Sequence, residues 1–287
     1  VQTFAFSFLA AVLYAMGLVT TYCGLLHMPA LAGARVSIPS AAVLFWLLSP
    51  FFVEWSEWAT PAAALFAGVG LFYPAAVTLL TFIGNRQLGP TVAGTIGSTT
   101  PLFAVLGAAL FLGEAPGARE IAATLVIVLG TMVLSKPAAG PLPQAASRNA
   151  LWMPWSGAML RALAQLLSKA GLALWPTPFA AALLSYSVSA VIVWIAGPLV
   201  PNNSAAVFTR RGVGWFMITG MLNGASVLSM YYALTAGPVQ VVAPIVATYP
   251  LYTLALSAML LKRERMSGRL IAGVVLTVAG VVILLAR

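Results

Sequence analysis

Arg161, Gln165 and Lys169 stand four residues apart in the stretch "WMPWSGAMLRALAQLLSKAGLAL". On a helix that spacing lines all three along one face. A guanidinium inside an apolar segment is costly, and it can grip a carboxylate or phosphate with two parallel hydrogen bonds. No carboxylate in the sequence answers it at that depth. The chain has no aspartate, and its five glutamates, Glu54, Glu57, Glu114, Glu120 and Glu264, fall at the ends of apolar segments. Lys169 lies near one end of its segment, where a lysine can snorkel to the interface. The other reading of Arg161 is a structural one, with its donors satisfied by carbonyls that nearby prolines set free.

The remaining reactive side chains are few. There is one histidine, His27, and one cysteine, Cys23. They are four apart, but two ligands make a weak metal site. The plainer reading is a small core thiol and an interfacial imidazole. A single cysteine excludes an intrachain disulfide. No catalytic triad and no metal cluster can be assembled from this set. The expectation is a protein that is not an enzyme, with no catalytic residues, no metal and no cofactor.

Two further stretches combine lipid-like composition with polar residues and prolines. One is "GPTVAGTIGSTTPLFAVLGAALFLGE" and the other "GPVQVVAPIVATYPLYTLALSAMLLKRE". Thr91, Thr95 and Thr99 recur every four residues in the first, followed by Phe103. Gln240, Thr248 and Tyr252 do so in the second, with Pro244 between. Pro101, Pro244 and Pro250 each remove a backbone donor and free a carbonyl about one turn earlier. A freed carbonyl in lipid is costly, so it should face protein or a water-filled cavity. The two helices are expected to bend at these prolines, with their polar face lining a central cavity. The alternative is that the threonines bond back to their own helix. Asn223 with Ser226, and Tyr14, Tyr73, Tyr186 and Tyr249, add polar groups inside apolar spans. The expected substrate-binding set is Arg161, Gln165, Thr95, Thr99, Asn223, Gln240, Thr248, Tyr249, Tyr252 and Tyr14.

The elements that carry these residues must cross a membrane. Of 287 residues, 61% are hydrophobic and 7% charged, with a mean hydropathy of +1.00. Soluble domains carry about 25% charged residues. A span needs about 20 apolar residues. Ten segments qualify: Phe4–Leu26, Ala30–Phe52, Pro61–Ile83, Pro90–Leu112, Ala118–Ser135, Trp152–Leu174, Pro178–Val200, Gly212–Thr235, Pro238–Leu261 and Ser267–Leu285. The stretch "KPAAGPLPQAASRN" (136–149) reads as a linker between two five-helix units, 1–135 and 150–287.

The units repeat. A shift of 149 pairs Thr99 with Thr248 and Pro101 with Pro250; a shift of 150 pairs Glu114 with Glu264 and Gly130 with Gly280; a shift of 148 pairs Ser37 with Ser185 and Trp46 with Trp194. With an odd number of helices per unit, the second must enter the membrane from the opposite side. The fold class is therefore all-α, ten transmembrane helices as two inverted five-helix repeats around a central cavity, an arrangement that recurs in secondary transporters.

Each fourth helix opens on Gly-Pro, carries a central proline and closes on a Glu-bearing sequence. A glycine-bearing fifth helix follows, and Arg35 sits early in the second helix. In these features the chain resembles the drug/metabolite transporter superfamily, in its two-repeat EamA-type branch, over essentially its whole length. The resemblance implies a secondary transporter working by alternating access, an exporter of amino acids or other small metabolites. The alternative is an obligate exchanger of phosphorylated metabolites or nucleotide-sugar-like substrates, whose families share the architecture. No "NYLWP"-like motif of the aromatic amino acid exporters is present. Small multidrug exporters hold cations and protons with a membrane-embedded carboxylate, which this chain lacks, so an anionic or zwitterionic cargo fits better.

Arg86, Lys136, Arg148, Arg210, Arg211, Lys262, Arg263, Arg265 and Arg269 gather at one end of the bundle, called here the basic end; the other end holds Arg119 and Arg287 and the acidic "EWSEW". The positive-inside rule places the basic end in the cytoplasm and both termini outside. The net charge of +9 then reports orientation and does not point to nucleic acid. No cleavable signal peptide is expected. The expected setting is the cell (inner) membrane, with a lipid bilayer and a small-molecule substrate as partners, as a monomer or weak dimer.

Overall fold

The computed structural model describes residues 1–55, 60–81, 96–135, 151–196, 208–261 and 268–286. The helices are α1 (Gln2–Leu25), α2 (Ala30–Phe52), α3 (Thr60–Gly70), α4 (75–81), α5 (Thr100–Phe111), α6 (Ala118–Ser135), α7 (Trp152–Leu174), α8 (Pro178–Ala196), α9 (Arg210–Ala236), α10 (Val239–Val246), α11 (Tyr249–Leu261) and α12 (Gly268–Leu285). A turn at 71–74 joins α3 to α4 within one crossing, Pro61–Thr81. Among the described residues, eight spans are long and apolar enough to cross a membrane by length and composition. α7 has the length, 23 residues, but its polar face keeps it out of that set. α5 is a shorter apolar helix, and residues 82–95, which include the start of the same crossing, lie outside the described residues.

The outer surface shows what solvent the fold was built for. Leu106, Leu110, Phe111, Leu129, Ile195 and Val275 are more than half exposed. An apolar belt of this kind would make a soluble protein aggregate, whereas in a bilayer it faces acyl chains. Inside, small residues dominate the contacts. Ala10, Ala41, Ala104, Ala180 and Ala182 are all at most fractionally exposed in one continuous core. Close backbone approach through small residues is how membrane helices gain packing energy without a hydrophobic driving force between them.

The packing obeys a two-fold rule that exchanges the halves. α1 packs on α9, and its counterpart α7 packs on α3. α1 also packs on α10 and α11, as α7 does on α5; α2 packs on α9, as α8 does on α3. α2 meets its own counterpart α8, and α6 meets α12. The glycines show the same rule at atomic scale. A Cβ on Gly70 would stand 2.7 Å from the Ser185 carbonyl oxygen, and one on Gly220 would stand 2.0 Å from the Ser37 carbonyl oxygen. These are corresponding pairs, reciprocally arranged. Likewise Gly130 abuts Thr277 and Gly273, while Gly280 abuts Ile127 and Ala123. Going up α6 from Ile127 to Gly130 to Leu134, the partners on α12 run down from Gly280 to Thr277 to Gly273. The two corresponding helices are therefore antiparallel, which is the geometry of inverted repeats.

The fourth and ninth crossings are broken where the sequence predicts a bend. A turn at 98–99 precedes α5, and a turn at 247–248 separates α10 from α11. The hydrogen bonds at the two breaks match. Thr99 N–H and Thr248 N–H each donate to the isoleucine carbonyl three residues back, Ile96 and Ile245, at 3.0 Å. Leu102 N–H and Leu251 N–H donate to the threonine carbonyls at 2.9 Å. The hydroxyls of Thr99 and Thr248 turn back to the same Ile96 and Ile245 oxygens, at 2.6 and 2.7 Å. The cause is the missing N–H of Pro101 and Pro250, two residues on, which opens the regular ladder. In the first half Thr100 compensates, donating at 2.8 Å to the Gly97 oxygen that Pro101 strands. In the second half Tyr249 occupies that place. Pro244 lies within α10.

Candidate central cavity

Arg161 projects from the middle of α7 into the space between the halves. Its guanidinium carbon lies 5.7 Å from the centre of the Tyr14 ring. Tyr14 meets Tyr249 edge to face, with centroids 4.8 Å apart at 88°. The guanidinium interacts electrostatically with the phenols of Tyr14, Tyr249 and Tyr73. Its Nε is buried without a partner. A cation held by ring faces and neutral hydroxyls is partly stabilised, with each cation–π contact contributing about 0.5–2 kcal/mol. Its charge is not neutralised: no acidic side chain is paired with it among the described residues. A protein group so placed leaves room for an anion to complete the set.

Two cavities meet at this residue. A vestibule of about 790 Å³, open mouth included, is lined by Tyr14, Tyr73, Tyr186, Asn223, Thr78 and Thr219 among others. It reaches Thr21 near the end of α1, Thr81 at the end of α4 and Phe216 early in α9, all toward the basic end. An inner chamber of about 500 Å³, open space included, is lined by Gln165, Thr100, Pro101, Met230, Val246 and Tyr249 among others. Tyr14, Tyr73, Arg161 and Val227 line both. Arg161 and the two tyrosines therefore form the partition. The vestibule is rich in hydroxyl and amide groups; the chamber is mostly apolar.

The chamber also contains under-satisfied polar atoms. Gln165 is 4% exposed, and its amide reaches only the Met230 sulfur at 3.7 Å, with Oε1 unpartnered. Asn223 Oδ1, on the vestibule side, is buried without a partner, opposite Gly17. Buried polar atoms without partners are rare, and their clustering calls for a ligand or water to satisfy them. Ser226 is already engaged, donating to the Ala10 carbonyl at 2.7 Å.

Of the residues singled out from sequence, Arg161, Gln165, Asn223, Tyr14 and Tyr249 line one or both cavities. Thr99 and Thr248 line neither, their hydroxyls being bonded back to their own chain. Gln240 and Tyr252 line neither; Gln240 Oε1 is buried without a partner, and Tyr252 interacts with Thr248. Thr95 lies outside the described residues. Pro101 lines the chamber at the first break, and Ala243, Val246 and Ala247 line it around Pro244 and the second. The breaks thus face the cavity with backbone and small side chains, while the threonines satisfy freed carbonyls. Cavity lining and threonine back-bonding occur together. Tyr73, Tyr186, Thr100 and Met230 also line the space. The tyrosines carried a sequence signal, being polar tips inside apolar spans; Met230 carried none.

Two cations behave differently from a snorkelling side chain. Arg35 is only 8% exposed, with its guanidinium carbon 5.6 Å from the centre of the Trp194 ring. Lys169 turns inward, donating to the Leu234 and Gly237 carbonyls at 2.6 and 2.9 Å, with Glu114 Oε1 at 3.9 Å.

Comparison with known proteins agrees with this architecture. A family model described as the EamA-like transporter family matches the chain twice, over residues 3–136 and 150–286. A solved crystal structure, described only as that of a protein, superposes with a TM-score of 0.82 at 16% identity, covering 99% of this chain and 98% of its own. At that identity the likeness concerns the fold. No curated protein matches the chain in sequence.

Proposed function

We propose, from the premise that this chain belongs to the EamA-like transporter family, that its cargo is a small anionic or zwitterionic metabolite held by Arg161. The protein is a multi-pass membrane transporter of the drug/metabolite type. The observation that carries the substrate reading is the uncompensated guanidinium at the partition of two cavities. A carboxylate or phosphate there gains a charge-assisted pair in a low-dielectric setting. Gln165 adds an amide one turn deeper, and Val227, Met230 and Val246 offer an apolar wall for the body of the substrate. An amino acid or related organic anion matches this mixture. The vestibule opens toward the basic end, which the positive-inside rule assigns to the cytoplasm. Loading from that side and release at the other make export the favoured direction.

Uptake into proteoliposomes, after a thermal-shift screen against metabolites has named a ligand, tests the reading. Arg161→Ala should stay folded on size exclusion and weaken ligand binding about 10- to 100-fold, the equivalent of losing one hydrogen-bonded charge, about 1.5–3 kcal/mol. Arg161→Lys should recover part, since an ammonium lacks the fork. Gln165→Ala should lose less. Normal transport by Arg161→Ala would remove the basis for an anionic cargo. Counterflow from vesicles with and without internal substrate separates a one-way exporter from an obligate exchanger.

A further inference from the structure

The inner chamber is closed at the end away from the vestibule, and the closure has a definite construction. On three helices the deepest lining residue is followed one turn on by a residue of a single polar junction. Gln165 of α7 is followed by Lys169, and Met230 of α9 by Leu234. Ala243 of α10 is preceded by Val239. A turn is about 5.4 Å of rise, so the junction is the next layer of the bundle below the cavity. Leu234, Val239, Ser168 and Tyr231 in this layer are fully buried.

The chemistry of the junction is complementary. Lys169 Nζ donates to Leu234 O and Gly237 O, at the C-terminal end of α9. Glu114, from the α5–α6 loop, accepts at Oε2 the Val239 N–H at 2.7 Å, at the start of α10. A cation thus sits at the negative end of one helix and a carboxylate at the positive end of the next, each favoured by the helix dipole. The two charges lie 3.9 Å apart. Together they hold both sides of the Ala236–Gly237–Pro238 corner, which Thr3 also ties to α1 through the Ala236 carbonyl at 2.9 Å.

We propose that Lys169 and Glu114 form the gate at this end, and that release of cargo there requires the pair to let go of the α9–α10 corner. Neither touches the cavity; they are positioning residues. α7 carries Arg161 and Lys169 on one face, two turns apart, so a shift of α7 that follows occupancy of the partition also pulls on the gate. Lys169 is the heavier member, because it makes two hydrogen bonds to α9. Glu114 holds only the start of α10.

The test needs no substrate and so does not depend on the nature of the cargo. The native thiol is removed as Cys23→Ser, and a reporter is placed in the chamber as Met230→Cys. A membrane-impermeant maleimide is applied to right-side-out cells and, separately, to inside-out vesicles. With the gate intact, labelling should come from the vestibule side. Lys169→Met should raise the rate from the opposite side about tenfold or more, and Glu114→Gln by a smaller factor. Lys169→Arg, which keeps the charge and the donors, should restore one-sided labelling. If Lys169→Met does not fold, Glu114→Gln alone carries the comparison. Far-side labelling that is unchanged in every folded variant, or raised equally by Lys169→Arg, overturns the assignment.

Discussion

Gly220 shows how little room the helix crossings leave. The Ser37 carbonyl oxygen lies 2.0 Å from where its Cβ would be, and this neighbour is backbone, which cannot swing aside. Gly220→Ala must push α9 off α2. Overpacking of this kind costs about 1–3 kcal/mol, and the melting temperature of the purified protein should fall accordingly. Gly214, on the same helix, has nothing within 4 Å of its Cβ position. Gly214→Ala should therefore be neutral or slightly stabilising, since alanine is the better helix former by about 1 kcal/mol. A loss at Gly214 equal to that at Gly220 would mean that the close crossing is not what makes Gly220 sensitive. Tyr14 permits a second comparison of this kind. Tyr14→Phe keeps the ring over Arg161 and removes the hydroxyl; Tyr14→Leu removes both. Ligand affinity from thermal shifts should fall in that order.

At the scale of the element, α6 and α12 are a separate unit. They meet through Gly130 and Gly280 and contribute no residue to either cavity. Gly130→Leu should lower the melting temperature, because Thr277 N stands 2.5 Å from the added Cβ. Leu-to-Val exchanges on the lipid-facing side of α6, as at Leu125 or Leu129, should leave substrate selectivity as it is; altered selectivity in competition assays would show that the pair shapes the site. The broken crossings are the other notable elements. The sequence carried their location, since Thr99 and Thr248 align with prolines two residues beyond. It did not carry their form. Whether a threonine faces a cavity or its own carbonyl depends on one rotamer, and i, i+4 spacing is the same in both cases. Lys169 was opaque for a related reason. Its partners are carbonyls and a glutamate 55 or more residues away, brought near by turns that local sequence does not specify. Arg161 was legible because an intramembrane guanidinium is conspicuous wherever it occurs, while its tyrosine partners could only be recognised as a pool of candidates.

At the scale of the whole molecule, the charge asymmetry of the loops sets an expected orientation. An epitope inserted in the 136–149 linker should be reachable only in inside-out vesicles, and a tag on either terminus only from the outer face. The reverse pattern would turn the vestibule outward and favour uptake over export. The fold class was legible from an odd helix count and an ordered series of repeat matches, because inversion follows from those two facts without any knowledge of packing.

The reciprocal contacts between halves have a thermodynamic side. A bundle of two like halves, inverted and packed through the same crossings, is close to degenerate: exchanging the roles of the halves turns an opening at one face into an opening at the other. What lifts the degeneracy is divergence between the copies. Arg161, Gln165 and Lys169 correspond, 147 positions earlier in the first helix of the repeat, to Tyr14, Leu18 and Tyr22, a register fixed by the matching pairs Gly24–Phe216 and Gly171–Phe66. Every such difference adds to the energy of one end state and not the other. About 1.4 kcal/mol is enough for a tenfold preference, an amount that one buried hydrogen bond can supply. The resting conformation of the empty protein is then a record of how its halves have drifted apart, and substitutions far from any ligand can invert it.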